Sequence, residues 1–193
     1  IGHDAVPHEM RASVGENLGL ERLVQNYKAI LTAKAIFYPV VFHFQREIGR
    51  GRQGMVFMAL RQGSRGCITQ HAIKLFDPQL YRSAEEYWTD MGRISYQLSQ
   101  LQRLQSPNLV SSHSYEETYG IGYIQMEAID GMDLAKLLSG VHLEAARKNC
   151  ITREWNRFMK NVFRLENNRL CLPPGVAGYI LRSVLRGLER VHN

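Results

Sequence analysis

The residues with the clearest chemical potential lie between positions 48 and 74. Ile48-Gly49-Arg50-Gly51-Arg52-Gln53-Gly54-Met55-Val56 carries the spacing G-x-G-x-x-G-x-V. Glycines let a backbone turn sharply and approach a polyphosphate with no Cβ in the way, and their N–H groups can then face phosphate oxygens. Residues 55–60 mix β-branched and aromatic types and run into a Gly63-Ser64-Arg65-Gly66 turn, which predicts strand, loop, strand. A dinucleotide fingerprint would need a helix to open inside the loop, and the sequence G-x-x-x-x-G-K-[ST] of the other common phosphate loop is absent. A tight hairpin without a ligand is the plainer alternative. Downstream, Ala72-Ile73-Lys74 places a lysine in an apolar strand. Burying an ammonium without a partner is costly, so this side chain either snorkels to water or meets an anion held by the loop.

Such residues need elements to position them. Residues 1–16 are polar and mixed and predict a flexible lead-in. Over 17–36, Leu20, Leu23, Val24, Tyr27, Ile30, Leu31 and Ala35 share one helical face, with Asn17 as a cap and Pro39 as the stop. Strands are predicted at 40–48, 55–60 and 67–76, the last ending at Asp77-Pro78. A long helix then opens on a capping box, Ser83 to Glu86. Its apolar stripe is Tyr87, Met91, Ile94, Leu98, Leu101 and Leu104, and Ser106-Pro107-Asn108 ends it. Two strands follow, 109–116 and 121–127, then a turn at Asp130-Gly131 and a short helix over 133–138. Between 139 and 172, Trp155, Phe158, Met159, Val162 and Phe163 have the spacing of a helical core stripe. Pro173-Pro174-Gly175 breaks it, and 176–192 is helical again, with Ile180, Leu181, Val184, Leu185, Leu188 and Val191 on one face.

The bulk numbers set bounds. The chain has 193 residues, 45% hydrophobic and 22% charged, which fits a globular protein of one ordinary domain or a small domain with extensions. No apolar run approaches the ~18–20 residues of a membrane span; the run over 35–44 is short and contains His43. The first residue is Ile1 rather than methionine, so a piece of a longer protein is expected. Cys67, Cys150 and Cys171 form neither a C-x-x-C pair nor a zinc pattern. They predict reduced thiols in a cytoplasmic protein, or in the cytosolic part of a larger, membrane-anchored one. The net charge is +6, and the segment 139–172 holds seven basic residues against three acidic ones. A solvated helical face is the expectation there, with no membrane contact. A nucleic-acid site, recognisable by salt-sensitive binding, is the weaker alternative.

In order along the chain, the loop, A-I-K at Ala72-Ile73-Lys74 and several later features resemble the eukaryotic-type protein kinases, in particular the bacterial serine/threonine kinases. Pro107-Asn108-Leu109-Val110 is similar to the family's H-P-N-I-V. Tyr123-Ile124-Gln125-Met126-Glu127-Ala128-Ile129-Asp130-Gly131 is similar to its strand and hinge, 134–138 to the helix after the hinge, and 178–193 to the helix that leads into the catalytic loop. The resemblance covers about 42–138 and 174–193 and lies in the ordered combination. It implies an α+β fold: a kinase-like amino-terminal lobe over 40–131, with a five-stranded antiparallel sheet and one long helix. An extension with a helix would precede it over 1–39, and helices of a truncated carboxy-terminal lobe would follow over 132–193, with a basic helical insertion at about 139–172.

The same resemblance implies roles. Gly49, Gly51 and Gly54 would cover the phosphates of ATP; Ile48, Val56 and Ala72 would sandwich the adenine; Lys74 would contact the α and β phosphates. Met126 would be the residue behind the adenine, the carbonyl of Glu127 and the N–H of Ile129 would pair with the adenine edge, and Asp133 would reach the ribose. Ile48, Val56, Ala72 and Met126 could equally be core residues. The parent would then be an ATP-dependent serine/threonine protein kinase, a transferase acting on a protein substrate in signalling, with its magnesium ligands further along. One position departs from the family. The helix glutamate that pairs with the strand lysine is replaced by Gln97, and Glu85 and Glu86 lie ~16–18 Å earlier along the helix. A glutamine can accept a hydrogen bond from Lys74 but supplies no countercharge. This leaves open a pseudokinase, a nucleotide-binding or protein-interaction module without transfer activity. The sequence holds neither D-F-G nor H-x-D-x-K-x-x-N, so the chain alone is expected to be inactive.

Overall fold

The computed structural model describes residues 19–104, 106–131, 133–166 and 169–192. The lead-in over 1–16, the Asn17 cap and the last residue, Asn193, lie outside them. The chain divides into two compact units, Ile1–Gln105 with Leu109–Ile129, and Ser106–Asn108 with Asp130–Asn193.

In the first unit, helix α1 (Leu20–Ala33) buries Leu23, Asn26, Tyr27 and Ile30. It ends earlier than its apolar stripe suggests. Lys34 turns left-handed, φ 51°, and its N–H bonds back to the Leu31 carbonyl. Ala35 and Ile36 therefore form a short strand, β1 (Ala35–Ile36), rather than a last helical turn, and Pro39 comes after the helix has stopped. Strands β2 (Phe42–Gly51), β3 (Gly54–Gln62), β4 (Ile68–Phe76), β5 (Ser112–Thr118) and β6 (Ile121–Glu127) join it in one antiparallel sheet of order β1-β2-β3-β4-β6-β5. The two-residue β1 is an addition to the five strands expected.

Helix α2 (Ala84–Leu101) starts where the capping box predicts. Ser83 Oγ accepts the Glu86 N–H at 3.1 Å, while the Glu86 carboxylate accepts the N–H of Arg82 at 2.8 Å. The helix lies on one face of the sheet. Tyr87 Oη accepts the Gly122 N–H at 2.8 Å, and a Cβ on Gly122 would stand 2.7 Å from Met91 Sδ and from the Tyr115 hydroxyl, so a larger residue there would push those side chains aside. Helix α1 packs against β1, β6 and the Pro78–Leu80 turn, and Asn26 Nδ2 donates to the Tyr119 carbonyl at 2.8 Å. Tyr27, Ile73, Leu75, Tyr87 and Tyr123 are among the fully buried side chains of one shared core.

The second unit holds α3 (Leu134–Leu137), α4 (Gly140–Lys148), α5 (Thr152–Val162), a hairpin of β7 (Arg164–Glu166) and β8 (Arg169–Cys171), and α6 (Pro174–His192). Of the predicted stripe, Trp155, Phe158, Met159 and Val162 lie in α5, and Phe163 lies just past its end. Trp155 and Phe158 rings sit 5.7 Å apart, and Phe158 meets Phe163, just past the helix end, at 5.7 Å. Pro174 begins α6 rather than breaking structure, because the first helical position needs no N–H donor. The apolar stripe of α6 is largely uncovered, with Leu181, Val184, Leu185, Leu188 and Val191 between 44% and 60% exposed. Among the described residues no helix is long and apolar enough to cross a membrane.

Candidate nucleotide site

The glycine segment is the hairpin between β2 and β3. Gly49 pairs with Val56, Arg50 with Met55 and Gly51 with Gly54, so Arg52 and Gln53 form the tip. Strand–loop–strand is thus the local structure, and a helix does not open in the loop. The three glycines differ in why they are glycine. Gly54 has φ +147°, and a Cβ there would lie 1.9 Å from the Leu75 carbonyl oxygen; the fold itself demands it. Added Cβ atoms on Gly49 and Gly51 would meet nothing within 4 Å. Among the described residues, packing gives no reason for glycine at either position.

Directly opposed residues of an antiparallel ladder share a face. Val56, Lys74 and Ile124 form one row across β3, β4 and β6, and Met58, Ala72 and Met126 form the next on the same face. Gly122, against which α2 rests, alternates with Ile124 and so lies on that face too. The fold therefore brings Val56, Ala72, Lys74 and Met126 together beside the glycine hairpin. Ala72 is 6% exposed, and Val56 and Met126 are half-buried. Ile48 sits at an irregularity of the β2–β3 ladder, between Glu47 and Gly49; such a break re-aims a side chain. At the end of β6, Glu127 is tied to Ser111 twice: its N–H donates to the Ser111 carbonyl, and its Oε1 accepts the Ser111 N–H, both at 2.9 Å. Ile129 is 58% exposed.

Lys74 carries the electrostatics of the site. Its ammonium donates to Gln53 Oε1 at 2.7 Å and stands 4.9 Å from the centre of the Phe76 ring. Burial holds its pKa below the usual lysine value, since desolvation disfavours the charged form. Among the described residues no carboxylate stands within ion-pair distance of it. The expected partner, Gln97, is exposed and makes no hydrogen bond to it. The reason is helix phase. Tyr87, Met91 and Leu98 face inward, and at ~100° per residue Gln97 points roughly a quarter turn away from their mean direction. The residue that takes its place, Gln53, was not singled out by sequence. Its signal was a neutral amide at the tip of a two-residue turn, in the ladder that carries Val56 opposite Lys74.

Asp133 belongs to the second unit. Its carboxylate caps α3, accepting the Lys136 N–H at 2.8 Å with Lys136 Nζ 3.6 Å away, and this bond, more than any other cause, holds its pKa down. That is a sufficient structural role. Among the described residues no group of three His, Cys, Asp or Glu side chains could hold a metal ion.

The first unit is an α+β structure whose order of strand, glycine hairpin, strand, lysine strand, long helix and two strands is the order implied for a kinase amino-terminal lobe. No family model matches the sequence, and no curated protein matches it. Among solved structures, the chain is similar to the PknI kinase domain of Mycobacterium tuberculosis at 21% identity and TM-score 0.46, covering 78% of this chain and 47% of that one. A mutant form of the same domain matches at 21% identity and TM-score 0.44, covering 78% and 48%. The chain spans about half the length of these domains.

Proposed function

We propose that this chain is the ATP-binding lobe of a serine/threonine protein kinase, in which Lys74 and the hairpin over 49–54 hold the phosphates and Val56, Ala72 and Met126 face the adenine. The observation that carries the reading is the placement of Lys74. It is a half-buried cation with no countercharge among the described residues, within 2.7 Å of the glycine hairpin. Gly49 and Gly51 support it, because among the described residues nothing lies within 4 Å of a Cβ added to either. A polyphosphate satisfies both features at once: it supplies the missing anion and uses the room at these two glycines. In the full-length protein, phosphate would pass from ATP to a protein hydroxyl, with magnesium held by residues outside this chain. The chain by itself binds nucleotide and transfers nothing, since it lacks both the D-F-G and the catalytic-loop sequence.

A pseudokinase remains the second reading, and one observation favours it: the described residues give Lys74 an amide rather than a carboxylate. The binding claim is common to both readings. Titration calorimetry with ATP and with adenosine tests it. A Lys74→Met variant should lose about 10–100-fold in ATP affinity, the worth of one hydrogen bond to a charged group, while adenosine affinity stays within about twofold. Equal losses for the two ligands, or no ATP binding by the wild type, would remove the proposal.

A further inference from the structure

Gln53 is fastened at both ends. Its backbone carbonyl accepts the Asp77 N–H at 3.0 Å, and its side-chain oxygen accepts from Lys74 Nζ at 2.7 Å. Together with the close approach of Gly54 to Leu75, these bonds fold the hairpin tip down on the end of β4. This bond takes one of the three N–H donors of the ammonium, and a phosphate oxygen can accept from that donor only if Gln53 gives it up. From this geometry we infer that Gln53 is a built-in competitor of the nucleotide phosphates: it occupies Lys74 in the empty lobe and must swing away before a polyphosphate can take that bond. The inference rests on the nucleotide-binding reading and adds a residue that sets how tightly the site takes phosphate.

The latch is neutral, and that gives it a particular strength. An amide compensates part of the desolvation of Lys74 without cancelling its charge, so the ammonium still attracts an anion. A carboxylate in the same place would form a charge-assisted pair and repel the phosphates as well. Adenosine has no phosphate and does not compete for Lys74, so the latch acts only on phosphate-bearing ligands. Gln53 is half-buried at the tip of the turn and lies outside the hydrophobic core cluster.

The test uses the whole chain with Gln53→Ala and Gln53→Glu, and circular dichroism checks that each variant is folded. Two quantities are read: affinities for ATP and adenosine, and the rate at which Lys74 is acetylated by acetic anhydride without nucleotide, followed by mass spectrometry. Gln53→Ala should raise ATP affinity about 3–10-fold, the net worth of the bond no longer broken, and leave adenosine affinity unchanged. It should also speed acetylation of Lys74, because an ammonium without its acceptor loses its proton more readily. Gln53→Glu should weaken ATP binding by about tenfold or more and slow acetylation. ATP affinity unchanged or lowered in Gln53→Ala, with the wild type binding ATP normally, overturns the latch alone. Failure of every variant to bind ATP overturns the nucleotide-binding reading and the latch with it, whatever the acetylation rates.

Discussion

Among the described residues nothing in the packing calls for glycine at 49 or 51, and Lys74 has an amide but no countercharge, whereas Gly54 is fixed by its close approach to Leu75. That distinction can be measured. Gly54→Ala puts a Cβ 1.9 Å from the Leu75 carbonyl oxygen at φ +147°, and should cost about 3 kcal/mol or more of folding stability. Gly49→Ala and Gly51→Ala meet nothing within 4 Å and should cost under about 1 kcal/mol while still weakening ATP binding. Denaturant unfolding of the three variants separates the classes; equal costs would contradict the assignment. His71 offers a second test at this scale. The Gln125 amide donates to its Nδ1 at 3.1 Å, leaving Nε2 to donate to Thr69 Oγ1 at 2.8 Å, which requires a neutral ring. Burial, then His113 and Arg61, lower its pKa below 6.5. The folded state therefore binds its proton less readily than the unfolded chain, and the stability involved is present above about pH 6.5 and lost as pH falls below it. The melting temperature should drop between pH 7 and pH 5, and His71→Gln should flatten that slope. An unchanged slope would assign the acid sensitivity to other groups.

At the scale of elements, a buried polar bond ties α2 to the sheet inside an apolar seam. Tyr87, fully buried, accepts the N–H of Gly122, while its ring packs edge-on to Tyr81 and Trp88 at 5.2 and 5.3 Å. Tyr87→Phe keeps the packing and leaves a buried N–H without a partner, which should cost about 1–3 kcal/mol; a melting temperature equal to wild type would mean that water or a local shift replaces the bond. Elements set by short-range rules were legible in the sequence. The capping box at Ser83–Glu86 placed the start of α2, the glycine spacing placed the hairpin, and β-branched runs placed the strands around it. Features set by reach and phase were not. Ala35 is 3% exposed, so a burial pattern passes through Lys34 with no sign that the backbone turns left-handed there. The β7–β8 hairpin has strands of three residues each, too short to show alternation. The Lys74 partner depended on which way a helix side chain points and how far a turn side chain reaches, and an aligned motif carries neither.

Across the whole molecule, the two units differ in how far their apolar surface is used. The first unit holds nearly all the buried side chains described, from Leu23 to Ile124, and the second contributes only Leu143 and Phe163 to the buried apolar set. The basic residues Arg153, Arg157 and Lys160 of α5 are exposed while Trp155, Phe158 and Met159 are half-buried. The functional proposal therefore stands on the first unit, on the sheet face that carries Lys74 and beside the hairpin over 49–54. The most direct test is to titrate the isotopically labelled chain with ATP and with adenosine and follow the amide signals of Gly49, Gly51 and Gly54 and the ammonium of Lys74. The account predicts that ATP shifts all four, that adenosine leaves them in place, and that both ligands shift Ala72 and Met126. ATP-induced shifts confined to residues away from this face, or none at all, would contradict it.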